Sequence, residues 1–131
     1  MPRAFVIHLH TGHGPPHYDL MFQFGEALAT WRVATSPGDL EPGESVPATQ
    51  LPDHRLAYLT YEGPVSRGRG QVRRIDTGTF EPIRTGPSPP PDPAGVLLEL
   101  RLAGEAVRGR FRLARDDPQA EQWTLTRTTT G

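Results

Sequence analysis

The sequence contains no cysteine, which excludes disulfide bonds, thiolate metal ligands and a cysteine nucleophile. It also has no apolar run close to the ~20 residues that a membrane-spanning helix requires. The first apolar stretch is interrupted at His8, too early for the hydrophobic segment of a secretory signal peptide. We therefore expect a cytoplasmic protein without a membrane partner.

Lysine is absent as well, since all 14 basic side chains are arginines. The formal net charge is only −1, but residues 54–74 carry five arginines against one glutamate, and residues 96–115 carry five against two. Arginine binds phosphate through two parallel hydrogen bonds, which lysine cannot form. The two basic segments are therefore either solvated surface or a face that meets a phosphate backbone, and composition alone leaves both interpretations open.

Long helices are disfavoured, because 15 prolines and 14 glycines are spread along the chain. Short runs of β-type residues predict strands instead, at 4–10, 18–24, 27–33, 55–61, 70–76, 79–83, 96–103, 106–115 and 122–127. Gly25-Glu26 and Gly104-Glu105 predict tight hairpins, whereas residues 36–53 and the proline-rich 84–95 predict irregular loops. The expected fold is all-β: a single domain over residues 1–131, forming a small closed or nearly closed barrel of about eight short antiparallel strands with long Pro/Gly-rich loops.

Four of the five histidines lie within residues 8–19, HLHTGHGPPHYD. Alternation along the predicted strand 18–24 places His17, Asp19 and Met21 on one face and the large apolar residues on the other. His8 and His10 share a face of the preceding strand. Two imidazoles and one carboxylate suit a divalent first-row metal. The stretch therefore predicts a metal site, with chance clustering as the alternative.

A second polar pair follows in the stretch HRLAYLTY, where His54 directly precedes the predicted strand 55–61 and Tyr58 lies four residues further on. Residues at this spacing on an extended strand share a face. Histidine and tyrosine together can bind a phosphate and transfer a proton. The alternative is a half-buried barrel tyrosine beside a histidine that ends a loop.

Three blocks of the sequence, taken in order, resemble the 3′-phosphoesterase module of bacterial DNA ligase D. The first is FVIHLHTGHGPPHYDLMFQFGEALATWRV, with its His-Tyr-Asp strand and tryptophan strand. The second is LPDHRLAYLTYEGPVSRGRGQVRRIDTGTF, with Asp-His, a tyrosine four residues later and a glycine-rich turn. The third is LELRLAGEAVRGRFRLAR followed by QWTL. The resemblance covers about 100 residues.

The resemblance implies a small β-barrel and a manganese-dependent enzyme that removes a 3′ phosphate or a 3′-terminal ribonucleoside from DNA or RNA ends. It also implies nucleic-acid 3′ ends as binding partners, together with DNA end-joining or repair proteins. The metal ligands carried over are His10, His17 and Asp19, and the phosphate-contacting catalytic pair is His54 and Tyr58. The His10–His17 spacing is one residue longer than usual in the family, so His8 and His13 remain alternatives for the third ligand.

The chain departs from the family at Met21, where the family has an arginine that binds the phosphate. Either the substrate differs, or phosphate binding is weaker, or other arginines compensate, for which the basic segment offers Arg55, Arg67, Arg69 and Arg73. Two other functions fit the same residues. One is a non-catalytic module that binds nucleic-acid ends. The other is a non-haem iron enzyme whose two-histidine, one-carboxylate triad would be His17, Asp19 and His54. Trp31 and Trp123 are expected in the core.

Overall fold

A computed structural model describes residues 3–84 and 92–129. The centre of the proline-rich loop expected over 84–95 lies outside the described residues. The strands are β1 (Arg3–Thr11), β2 (His17–Phe24), β3 (Ala27–Val33), β4 (Ser45–Arg55), β5 (Gly63–Pro64), β6 (Gln71–Pro82), β7 (Leu97–Gly104), β8 (Arg108–Ala114) and β9 (Gln122–Thr129). Two short 3₁₀ turns, Pro37–Asp39 and Leu56–Leu59, are the helical elements of the described residues. In those residues, no helix has the length and apolar character to cross a membrane.

Eight strands form a closed antiparallel barrel in the order β1-β2-β3-β4-β9-β8-β7-β6, with β6 pairing back to β1. The two-residue strand β5 pairs with Gln71 and Val72 at the start of β6, before the segment of β6 that pairs with β7. Closure leaves the eight barrel strands without a free edge for another chain to pair with. The structure therefore confirms the predicted all-β barrel.

Large side chains from alternate positions fill the barrel. Trp31 of β3 and Trp123 of β9 meet edge to face with ring centroids 5.3 Å apart, and each is at most 1 % exposed. Phe22 packs against both Trp31 and Phe80 of β6. Because each buried aromatic ring removes 150–250 Å² from water, this interior provides most of the driving force for folding. The two tryptophans lie in the core, as predicted.

The predicted strand over 55–61 is wrong. Residues 45–55 form β4 in what was expected to be irregular chain, and Leu56–Leu59 form a 3₁₀ turn. Pro52 is accommodated within β4 because it falls where the pairing of β3 and β4 shifts register, a place that needs no regular ladder hydrogen bond. The expected strands 70–76 and 79–83 are one strand, β6, with a register shift opposite Ile7 and His8.

The 3₁₀ turn Leu56–Leu59 packs on the outside of the barrel. Its apolar side chains cover three buried residues on the outer face of β1, β2 and β3. We call this group the outer cluster; it consists of Val6, Met21 and Leu28, covered by Leu56, Tyr58 and Leu59. The outer cluster fixes the turn beside the histidine-bearing part of the barrel wall.

Candidate metal and phosphate site

The polar residues of the first block lie on the outer face of the barrel. In the strand register His8 of β1 lies between Asp19 of β2 and Arg74 of β6. Asp19 in turn lies opposite Arg32 of β3. Directly paired side chains project to the same side of a sheet. Four of them therefore form one polar row across β6, β1, β2 and β3: Arg74, His8, Asp19 and Arg32. His10 and His17 pair with each other one step further along.

His10, His17 and Asp19 converge on one point. In the described part of the chain they are the group of histidine and acidic side chains arranged to hold a metal ion, with ligand atoms within 4.8 Å of one another. His17 Nε2 lies 3.0 Å from His10 Nδ1, and each of these nitrogens lies 3.9 Å from an Asp19 oxygen. The three side chains are 7–12 % exposed. The group is therefore largely, but not completely, shielded from solvent.

The outward nitrogens of both rings are held by backbone carbonyls. His10 Nε2 is 2.6 Å from the Arg69 oxygen, and His17 Nδ1 is 3.2 Å from the Pro15 oxygen. Since a carbonyl only accepts, each ring donates its proton there. The lone pairs of His10 Nδ1 and His17 Nε2 then face each other at 3.0 Å. Either a proton shared between the two nitrogens or a cation bound by both removes this repulsion, and two nitrogens each about 2.0–2.1 Å from one first-row metal lie roughly 3 Å apart. The donor set fits a metal ion.

A glycine brings the Arg69 carbonyl to His10. Gly70 has φ +80°, and a Cβ there would overlap the Thr11 carbonyl oxygen at the end of β1. The turn before β6 can therefore lie directly against β1, as only glycine permits both the conformation and the close approach. The glycine-rich turn of the second sequence block thus orients a ring in the first block.

The electrostatic surroundings keep His17 in its neutral, metal-binding form. Burial lowers the pKa of His17, and the Arg32 guanidinium lowers it further, against the hydrogen bond to Pro15 and the charge of Asp19. A positive side chain next to a histidine disfavours the imidazolium.

The two alternative histidines lie elsewhere. His8 is 1 % exposed in the polar row, and its Nε2 has no hydrogen-bond partner in the described residues. Burial lowers the pKa of His8, which Asp19 partly offsets. His13 is exposed in the loop, with its ring centroid 6.3 Å from that of His10. Neither joins the group formed by His10, His17 and Asp19.

His54 and Tyr58 are neighbours, although Tyr58 lies in a 3₁₀ turn and not in a strand. Their ring centroids are 5.3 Å apart, and the Tyr58 ring also lies 6.3 Å from that of His8. His54 Nδ1 donates to the Pro52 carbonyl at 2.9 Å, which leaves Nε2 free of that contact. His54 does not join His17 and Asp19, so the described residues do not assemble the triad expected for a non-haem iron enzyme.

Met21 shares its face with Asp19, as predicted, but it is 1 % exposed in the outer cluster. Its side chain therefore contacts apolar groups under the 3₁₀ turn and does not line an open phosphate pocket. Arg55 lies 6.0 Å from the Tyr58 ring centroid, and both line a cavity of about 260 Å³ together with Tyr61.

The remaining arginines of the basic segment are spread around the site. Arg67 and Arg69 are exposed in the turn before β6, where the Arg69 guanidinium bonds Ser66. Arg73 pairs with Leu9, so it projects to the side of the sheet away from His10. The structure places none of these three guanidinium groups in contact with Asp19 in the described residues.

Arg32 is the residue that sequence reasoning missed. It lies opposite Asp19 on β3, and its Nε donates to Asp19 Oδ1 at 3.2 Å. The signal was present, because a two-residue hairpin at Gly25-Glu26 pairs residue 24 with 27 and therefore 19 with 32. Extending the hairpin register would have found it.

The fold and the site define a small β-barrel with a histidine–aspartate metal-type group on its outer wall. The family model for the DNA ligase D 3′-phosphoesterase domain matches residues 8–115, and the chain belongs to this family. It is 31 % identical over 124 residues to the multifunctional non-homologous end joining protein LigD of Pseudomonas aeruginosa, covering 88 % of this chain and 14 % of that protein. It is 30 % identical over 125 residues to the non-homologous end joining DNA repair protein LigD of Mycobacterium tuberculosis, covering 92 % of this chain and 15 % of that protein. The chain thus spans about one seventh of the length of these relatives.

Proposed function

We propose that the chain is a manganese-dependent 3′-phosphoesterase that removes a 3′ phosphate or a 3′-terminal ribonucleoside from nucleic-acid ends. The observation that carries the proposal is the convergence of His10 Nδ1, His17 Nε2 and the Asp19 carboxylate, with the outer nitrogen of each ring at a backbone carbonyl. Family membership supports the reaction class.

In this proposal His10, His17 and Asp19 hold the divalent ion. When held there, the ion would supply Lewis acidity for the hydrolysis of a phosphate ester. The carbonyls of Arg69 and Pro15 keep the two rings in the tautomer that leaves a lone pair for the ion. Asp19 adds the negative charge that offsets part of the charge of the cation.

His54 and Tyr58 act on the substrate from the adjoining turn. With Nδ1 donating to Pro52, a protonated His54 has one further donor, Nε2–H, to stabilise developing charge or to protonate the leaving oxygen. The Tyr58 hydroxyl orients the phosphate. Arg55, Arg67 and Arg69 are exposed and hold the flanking nucleic-acid backbone, so binding weakens as salt rises. We assign no contact with the terminal phosphate to Arg73, because it projects away from His10.

The names of the two relatives place them in non-homologous end joining. By extension we propose that this chain, as one domain over residues 1–131, acts on DNA or RNA 3′ ends in the cytoplasm, alongside end-joining or repair proteins.

The test compares His17, the first residue of β2, with His13 in the loop before that strand. His17→Ala should lower manganese affinity and the turnover of a 3′-phosphate primer at least ~100-fold, while His13→Ala, an exposed neighbour, should leave both unchanged. Calorimetry gives the metal affinity, and release of phosphate from the primer gives the turnover. Unchanged manganese affinity in His17→Ala would show that the site is misassigned.

Two further readouts separate the alternatives. Wild-type protein that binds 3′-phosphate ends with any of manganese, zinc or cobalt but does not hydrolyse them is an end-binding module. Oxygen uptake that depends on ferrous iron would indicate an oxygenase. Hydrolysis that requires manganese supports the proposal.

A further inference from the structure

The Arg32 guanidinium contacts the group formed by His10, His17 and Asp19 through one of its three nitrogens. Its Nε contacts Asp19 Oδ1, and in the described residues its two terminal nitrogens have no hydrogen-bond partner. The Arg32 side chain is 39 % exposed, whereas that of Asp19 is 7 % exposed. The guanidinium group therefore contacts the site through one edge and presents its terminal nitrogens to solvent.

The neighbouring position on β2 is closed to a charged side chain. Met21 is 1 % exposed, with the 3₁₀ turn Leu56–Leu59 packed over it in the outer cluster. An arginine there would bury its charge among apolar side chains or displace the turn. A cation that meets a phosphate beside Asp19 has to come from another strand, and β3 supplies one.

We infer that Arg32 is the phosphate-binding arginine of this chain. It binds the terminal phosphate through its free nitrogens while Nε stays on Asp19. This inference rests on the proposed function, since it assumes that the phosphate is bound next to the ion held by Asp19. A planar guanidinium can do both tasks, because its five N–H groups point in different fixed directions.

A phosphate-binding Arg32 and a purely structural Arg32 predict different manganese affinities when the residue is replaced. A guanidinium beside a metal group repels the cation, so its removal should leave manganese affinity unchanged or raise it. If Arg32 served only to hold Asp19 in place, its removal would instead loosen Asp19 and weaken manganese binding.

A matched pair of residues allows a controlled test. Arg112 on β8 pairs with Glu99 of the adjacent strand β7 through two hydrogen bonds, on the far side of the barrel from β2. Arg32→Gln and Arg112→Gln therefore remove the same charge from similar cross-strand pairs. Arg32→Lys keeps the charge but removes the planar fork.

The probe is inorganic phosphate, titrated by calorimetry into the manganese-loaded full chain and also used as a competitive inhibitor of primer turnover. We expect Arg32→Gln to weaken phosphate binding about 10-fold or more, Arg32→Lys to weaken it less, and Arg112→Gln to leave it unchanged. Manganese affinity measured without phosphate should be equal or higher in Arg32→Gln.

Equal phosphate affinity in Arg32→Gln and Arg112→Gln would overturn the inference. A loss of manganese affinity in Arg32→Gln would also overturn it and assign Arg32 to the positioning of Asp19. If the wild type turns over the primer and Arg32→Gln does so equally well, the inference fails alone. If the wild type fails to turn over the primer, the proposed function fails and the inference falls with it.

Discussion

Asp19 and Asp76 are buried in the barrel wall to the same extent, each with 5 % of its surface exposed. Asp76 accepts hydrogen bonds from four backbone N–H groups at 2.7–3.0 Å. Asp19 accepts one in the described residues, from Arg32, and faces two imidazole nitrogens at 3.9 Å. The two carboxylates are thus equally buried, but one is surrounded by backbone donors and the other by ionisable side chains. The partners of a buried carboxylate, and not its burial, separate a structural aspartate from a candidate ligand.

Asp76 stabilises the turn between β7 and β8. Three of its four donors are consecutive, the N–H groups of Glu105, Ala106 and Val107. Gly104 comes directly before them, and a Cβ there would overlap the Asp76 carboxylate and the Phe5 ring. The carboxylate therefore replaces the pairing that the turn amides lack, and both of its oxygens are engaged by backbone donors.

The largest expected effect on stability is that of Asp76→Asn. The amide nitrogen of asparagine would meet the Val107 N–H, so one buried donor loses its acceptor and the other bonds lose their charge assistance. We expect the free energy of unfolding to fall by about 3 kcal/mol. For a chain of this size that corresponds to a decrease in Tm of roughly 10 °C, measured by calorimetry.

The same change at Asp19 should spare the fold. Asp19→Asn removes one partly exposed ion pair with Arg32, worth at most about 1 kcal/mol, and also removes a buried charge. Manganese at 100 times its Kd should stabilise the wild type by about 2.7 kcal/mol, a shift that Asp19→Asn should abolish and that metal removal with EDTA should reverse. If Asp19→Asn lowered the free energy of unfolding as much as Asp76→Asn, the contrast between the two aspartates would be wrong.

Local rules were sufficient for part of this architecture. The glycine-first turn at Gly25-Glu26 and the alternation around it predict the β2–β3 hairpin, and with it the face of His17 and Asp19. Local rules could not identify the whole candidate metal site, because His8, His10 and His13 all lie close enough in the sequence to join His17 and Asp19. His10 is selected by a contact with the Arg69 carbonyl, 59 residues away, which no local pattern reports.

The stretch RLAYLTY is a case in which the local pattern predicts the wrong secondary structure. Its alternating apolar residues fit a strand, and they fit equally a short turn that packs three apolar side chains on a neighbouring surface. Whether it forms a strand or a turn depends on the outer cluster, because Val6, Met21 and Leu28 lie on three different strands and together form the apolar surface that the turn covers. Tertiary packing overrides the local pattern here, and it also explains why Met21 is buried where the family resemblance had predicted a phosphate site.

The smallest expected effect concerns pH and the surroundings of Asp19. The partners of Asp76 are backbone amides, which do not titrate, whereas His8 beside Asp19 does. Burial lowers the pKa of His8 below the ordinary value of 6.5. As pH falls below 6.5, the unfolded state therefore takes up a proton before the folded state does, and the metal-free protein loses stability until the pH reaches the folded pKa.

The loss has a slope of at most about 1.4 kcal/mol per pH unit for each such proton, and His17 adds a contribution of the same sign because burial lowers its pKa too. His8→Gln should flatten the decrease in unfolding free energy below pH 6.5, measured by urea denaturation at several pH values in the presence of EDTA. A slope equal to that of the wild type would mean that His8 keeps the same proton affinity in the folded and unfolded states. The polar row would then lack the titrating neighbour that distinguishes the surroundings of Asp19 from those of Asp76.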